Sequence, residues 1–307
     1  MELSVQLAPR RGRGLRLANP VMTASGTFGY GTEYYGVLDI QRLGAIICKG
    51  TTLEPRPGNP QPRITETPSG VLNSIGLQNI GVDELIATKA PVWTGWKVPV
   101  IVNIAGATVE EYGRLAARLN GVPGVSGLEV NISCPNVEAG GAEFGRDPDT
   151  ASRVTAVVRE RTELPVIVKL TPDTPDVVAV ARAVVEAGAD AVSLVNTLRG
   201  MAISVKTRRP VLGSRFGGLS GPAIKPVALY LVYQVAAVVE VPVIGIGGIT
   251  TAQDALEFIM AGARAVQVGT ANFTSPRAPL DVLDGIERFM REQGIGDINQ
   301  LVGVARE

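Results

Sequence analysis

The chain contains no histidine. That absence removes Ser-His-Asp and Cys-His hydrolysis, together with every His-ligated metal site. Acid/base chemistry therefore falls to Cys, Lys, Asp, Glu, Tyr, water or a cofactor. Cysteine is nearly absent too: only Cys48 and Cys134 are present. Two thiols cannot build a disulfide framework, nor hold an iron–sulfur cluster, which takes about four. So few cysteines fit a reducing, cytoplasmic compartment. Charge of either sign is not in excess, with 29 Lys+Arg against 29 Asp+Glu. Nothing in that balance recruits nucleic acid or an anionic membrane. The one dense basic run, Arg10–Gly14, reads as a solvated hairpin turn. No long apolar stretch opens the chain, so neither a signal peptide nor a membrane anchor is expected. No GxGxxG dinucleotide fingerprint follows a strand.

What is present is a two-stroke repeat. Val98–Gly106, Leu164–Pro172 and Val241–Ile249 each carry Pro-Val-Ile and run on as a short apolar strand. A second class comprises Leu43–Gly50, Val125–Ser133, Ala187–Asn196 and Ala261–Thr270, the last two sharing Ala-Gly-Ala-x-Ala-Val. Glycine there suits a helix C-terminus feeding the next strand. With Pro20–Gly26 in front, eight short apolar strands result. Continuous apolar runs, rather than alternating ones, mark strands buried on both faces.

Helical patterns fall between most of the strands, at Thr108–Leu119, Asp149–Thr162, Thr174–Gly188 and Thr250–Gly262. Thr or Asp at the starts of the last three suits an N-cap. Eight such units predict an α/β chain folded as one (β/α)8 TIM barrel over residues 1–307. A doubly wound sheet is the alternative. The first seventeen residues read as an N-terminal β-hairpin able to plug the barrel bottom. Two strand–helix segments, from Thr51 to about Asn79 and from Thr197 to about Pro222, are too long for plain connectors. They are expected as long top-face loop insertions that build or cover a site.

In this fold the chemistry lies at the C-terminal ends of the strands. Those ends offer Ser25, Lys49, Asn103, Asn131, Lys169, Asn196, the pair Gly247–Gly248 and the pair Gly269–Thr270. The strands behind them are almost wholly apolar, so these groups are expected to converge on one pocket. Amides and two lysines do not suit a metal, and none is expected. They suit a flat heterocycle edged with donors and acceptors, where a lysine stabilises the negative charge of reduction. Glycines leading into helices suit a phosphate. Together these features suggest flavin mononucleotide (FMN). Cys48, inside a strand, reads as core, and Trp93 and Trp96 read as packing or surface-anchoring residues. Cys134, in Asn-Ile-Ser-Cys-Pro-Asn, begins a glycine-rich segment. It lacks companions for a metal and context for a disulfide. An acid/base group, a covalent nucleophile and a buried thiol all remain open.

Several segments taken together resemble class 1 dihydroorotate dehydrogenases. They are Ala24–Gly31, Cys48–Thr52, Asn73–Asn79, Asn131–Asn136, Val195–Thr197, Gly217–Pro226 and Gly245–Ile249. The resemblance runs essentially end to end, and Asn136–Pro148 is more similar to the type B catalytic subunit than to fumarate-using type A enzymes. It implies an FMN barrel that oxidises (S)-dihydroorotate to orotate in pyrimidine synthesis. The implied flavin contacts are Ser25, Lys49, Gly50, Asn103, Asn131, Lys169, Val195, Gly221, Gly247, Gly248, Gly269 and Thr270. The implied substrate contacts are Lys49, Asn73, Ser74, Ile75, Gly76, Leu77, Asn131, Asn196 and Thr197, with Cys134 as active-site base. The resemblance further implies a partner subunit carrying FAD and a two-iron iron–sulfur cluster, passing electrons to NAD+, in a heterotetramer of two plus two. The rival readings are a dihydropyrimidine dehydrogenase-like flavin enzyme, a non-redox phosphate-binding barrel and a noncatalytic scaffold.

Overall fold

The computed structural model describes residues 1–9, 14–133 and 144–306. Eight parallel strands close into a barrel: β1 (Val21–Thr23), β2 (Ala45–Ile47), β3 (Val100–Ile104), β4 (Val125–Asn131), β5 (Val166–Lys169), β6 (Ala191–Leu194), β7 (Val243–Ile246) and β8 (Ala265–Val268). Each pairs with its neighbour in sequence order, and β8 returns to β1 through Val266–Val21 and Val268–Thr23. Almost every strand residue is buried, because one face fills the barrel and the other packs on helices. The expected barrel is therefore the observed fold, and each of the eight strands lies inside the segment read for it.

The helices stand between the strands: α1 (Val109–Leu119), α2 (Pro148–Glu160), α3 (Val177–Glu186), α4 (Lys225–Ala236), α5 (Ala252–Met260) and α6 (Ala278–Glu292). Thr108 caps α1 by accepting from the Glu111 N–H. In the three helices with an expected cap, the cap residue differs from it by a position or two. Asp147, not Asp149, caps α2, and Asp149 sits in the first turn, where its charge complements the helix dipole. Asp176, not Thr174, caps α3, while Thr174 bonds the Arg146 carbonyl instead. Thr251 and Asp254 form a reciprocal capping box on α5.

The two long insertions are more ordered than loops. They supply the strands Ile64–Thr67 and Gly70–Asn73 from one, and Leu198–Gly200 and Gly217–Ser220 from the other. These join in one antiparallel sheet through Gly218–Asn73, Ser220–Val71, Leu198–Leu219 and Ile64–Asn73. That sheet stands over the C-terminal ends of the barrel strands. At the opposite end, Val5 and Gln6 pair with Leu17 and Arg16. Leu7, Leu15 and Leu17 are buried, and Gln6 and Pro9 share a recess with the start of β7, so this hairpin does lie under the barrel. The turn of the hairpin, Arg10–Arg13, lies outside the described residues.

Candidate active site

The C-terminal ends of all eight strands open into one cavity of about 360 Å³. Its wall includes Ser25, Lys49, Gly50, Asn103, Asn131, Lys169, Val195, Asn196, Thr197, Gly221, Gly247, Gly248, Gly269 and Thr270. Asn73, Ile75, Gly76 and Leu77 reach it from the first insertion. Ser74 does not reach it: its side chain is fully buried, its hydroxyl has no partner among the described residues, and its N–H donates to the Arg63 carbonyl at 2.8 Å. Cys134 lies outside the described residues, as does the segment that follows it to residue 143.

The deep end of the cavity is lined by amides and an ammonium. Lys169 is 4% exposed, and its Nζ lies 3.2 Å from Ser25 Oγ. Asn103 is fully buried; its Oδ1 accepts from Asn131 Nδ2 at 3.3 Å. Asn131 Oδ1 accepts from Ser133 Oγ at 3.0 Å and from Asn196 Nδ2 at 3.4 Å. The Asn196 amide also donates to Ser133 Oγ at 2.9 Å, and its Oδ1 accepts from the Thr197 N–H at 2.8 Å. Tyr112, wholly buried on α1, donates its hydroxyl to the Asn131 carbonyl at 2.8 Å. Lys49 is half-buried, and desolvation holds its ammonium below the ordinary lysine pKa, with Glu33 opposing that shift and Arg63 adding to it. Among the described residues it has no ion-pair partner, so its charge is free to meet an anion.

Backbone shape does the rest. Gly247, Gly248 and Gly221 have φ of 131°, 72° and 96°, a region where side chains are strained. A Cβ on Gly248 would lie 2.7 Å from Lys225 Cβ and 2.9 Å from the Gly221 carbonyl. At the opposite wall, Gly50 lets Leu77 and Asn103 approach: an added Cβ would sit 3.2 Å and 3.1 Å from them. Leu77 itself holds φ at 56°, fixed by Asn79, which donates to the Leu77 carbonyl at 2.7 Å and to Thr52 Oγ1 at 2.8 Å. Asn79 therefore orders the insertion from behind.

Strand sequence alone hid one layer. The strands are not wholly apolar: Glu129, Ser193 and Gln267 point into the barrel beneath the cavity, all fully buried. Their signal was available, since an acid in Gly-Leu-Glu-Val-Asn has no solvent to face in a strand buried on both sides. Cys48 is core, as expected; burial pushes its thiol up to about 12. Trp93 is buried and donates its indole N–H to the Tyr30 carbonyl, while Trp96 stacks on Tyr35 with centroids 6.4 Å apart.

The sequence profile of the family described as dihydroorotate dehydrogenase matches residues 10–290. The chain belongs to the dihydroorotate dehydrogenase family. A protein of Desulforamulus reducens named dihydroorotate dehydrogenase B (NAD(+)), catalytic subunit, is 59% identical over 303 residues, covering 99% of each chain. Proteins of the same name from Geotalea uraniireducens and Desulforudis audaxviator are 58% and 59% identical. They cover 98% and 95% of this chain, and 97% and 95% of their own length. The dihydroorotate dehydrogenase likeness thus includes the barrel, both insertions and every cavity residue named above. Among the described residues no helix is long and apolar enough to cross a membrane, and no cluster of three His, Cys, Asp or Glu could hold a metal.

Proposed function

We propose that this chain is the catalytic subunit of an NAD+-linked dihydroorotate dehydrogenase, oxidising (S)-dihydroorotate to orotate in pyrimidine biosynthesis. The observation that carries the reading is the convergence of all eight strand ends on one cavity lined by amides, lysines and glycines. The residues present fit FMN. Gly221, Gly247, Gly248 and Gly269 leave the backbone bare, with Thr270 beside them, at the end suited to a phosphate. Ser25, Asn103, Asn131, Lys169 and Val195 line the deep end, with Lys49 and Gly50 beside them.

When bound, FMN supplies an acceptor for the hydride on carbon 6 of dihydroorotate. The chain's own residues bind and orient the substrate. Lys49, which has no ion-pair partner among the described residues, meets its carboxylate, and Asn73, Asn131, Asn196 and Thr197 meet its polar edges. Ile75, Gly76 and Leu77 wall the ring, and Ser74 supports that wall from inside. Fixed donors of this kind lower the barrier by orientation. Cys134 takes the proton from carbon 5. A free thiol titrates near ~8.5, so a modest downward shift makes it a competent base near neutrality. Electrons leave through a partner subunit with FAD and a two-iron cluster, two copies of each chain assembling in the cytoplasm. Residues 1–307 act as one catalytic domain.

The test is anaerobic titration of the flavin-loaded chain with dihydroorotate. The absorbance near ~450 nm of a flavin should bleach, and NAD+ should restore it only when the partner is added. A colourless protein would favour the non-redox barrel. Bleaching of Cys134→Ala at nearly the wild-type rate would remove Cys134 as base.

A further inference from the structure

Beneath the cavity a single carboxylate is gripped by side chains from four other strands. Glu129 of β4 is 0% exposed. Its Oε1 accepts from Ser193 Oγ of β6 at 3.0 Å and from Gln267 Nε2 of β8 at 2.7 Å. Its Oε2 accepts from Asn103 Nδ2 of β3 at 2.7 Å and lies 4.0 Å from Lys169 Nζ of β5.

A carboxylate only accepts, whereas each asparagine or glutamine has one accepting and one donating end. Glu129 therefore decides which way its neighbours turn. Gln267 gives its amide nitrogen to Glu129 although this leaves its own Oε1 buried without a partner among the described residues. Asn103 likewise gives its nitrogen to Glu129, so its oxygen faces Asn131. Asn131 must answer with its nitrogen, and its oxygen then receives Ser133 and Asn196. The orientation of three amides on the cavity wall thus follows from one acceptor below it.

We propose that Glu129 is a positioning residue: it fixes the donor and acceptor pattern of the Asn103–Asn131–Asn196 row and anchors Lys169 beside it. It touches neither substrate nor cofactor. A glutamine at this position replaces one accepting oxygen by a donating nitrogen; with that nitrogen toward Asn103, Asn103 turns over and the row turns with it. Loss of the negative charge near the ring site also makes reduction of a bound flavin easier.

This inference rests on the proposed function, and the test separates the two. The flavin-loaded wild-type, Glu129→Gln and Glu129→Asp proteins are compared for orotate Kd, by perturbation of the flavin spectrum, and for flavin reduction potential. If the wild-type chain binds neither flavin nor orotate, the functional reading fails. If it binds both, Glu129→Gln should weaken orotate at least tenfold and move the potential positive. Glu129→Asp keeps the charge but draws back from Asn103; its potential should stay near wild type while orotate binding falls partway. A merely structural role would lower thermal stability and leave both readouts unmoved. Orotate Kd within twofold of wild type and an unchanged potential in both variants would overturn the proposal. So would failure of both variants to load flavin, which would assign Glu129 to the scaffold.

Discussion

Replacing Gly218 by alanine tests whether the two insertions form one wall of the site. Gly218 pairs with Asn73 across the added sheet, and its carbonyl accepts from Asn73 Nδ2 at 3.3 Å. A Cβ there would overlap Thr197 Oγ1 and lie 2.5 Å from Thr197 Cβ. Ordinary carbon contacts are about 3.5–4.0 Å, so Thr197 must retreat by about 1 Å or the strand must peel away. Either response moves the cavity wall, because Thr197 follows Asn196, whose amide is held by Ser133. Overpacking of this kind stores about 1–3 kcal/mol. Losing one substrate hydrogen bond at Thr197 adds about 0.5–1.5 kcal/mol. The strain is present with and without ligand and lowers stability, so the lost hydrogen bond alone sets the affinity change: at about 1.4 kcal/mol per factor of ten, orotate should bind Gly218→Ala roughly 3- to 10-fold more weakly. Flavin content should hold, since the glycines of the β7 and β8 ends are untouched. Calorimetric titration of the flavin-loaded variant with orotate reads this directly. An affinity within twofold of wild type, at equal flavin content, would refute the coupling of Gly218 to Thr197.

Two further outcomes follow from titrating groups. Cys48 is fully buried with its thiol pushed up to about 12, so a thiol reagent at neutral pH should leave it unmodified in the native protein and modify it only after unfolding; mass spectrometry of digested, alkylated protein checks this, and rapid native labelling of Cys48 would contradict it. Burial acts to raise the Asp254 carboxyl, but the Lys225 ammonium and the donors of Thr250 and Thr251 outweigh it and hold Asp254 well below the usual carboxylate range. A folded value below the unfolded one stabilises above about pH 3.9, and that stability is lost as pH falls further. Asp254→Asn should therefore lose about 1 kcal/mol at neutral pH and flatten the acid-unfolding curve below about pH 4, and an unchanged acid limb in urea melts would sink the assignment.

The barrel and its rim were determined by sequence, for a local reason. A strand buried on both faces is apolar along most of its length, and the residues at its C-terminal end carry the chemistry. The Pro-Val-Ile and Ala-Gly-Ala repeats, with three further apolar runs, therefore located all eight strands, and Lys49, Asn103, Asn131, Lys169 and Asn196 were read from position alone. Helix caps were less legible. Thr and Asp cluster near each start, and only the backbone geometry chooses between Asp147 and Asp149.

What the tertiary structure alone decided depends on partners distant in sequence. Residues 64–73 look like loop until they meet residues 198–220, and neither strand pair buries enough by itself to be read as sheet. Ser74 stands within a cavity-lining run yet lies inside the fold, because the chain reverses around Gly76 and Leu77. Glu129 shows the contrast most plainly. Its acidity was visible in the sequence, but its meaning comes from Asn103, Lys169, Ser193 and Gln267, each on a different strand. Closing the barrel brings those four side chains to one carboxylate, and only closure gives the amides above it a fixed direction.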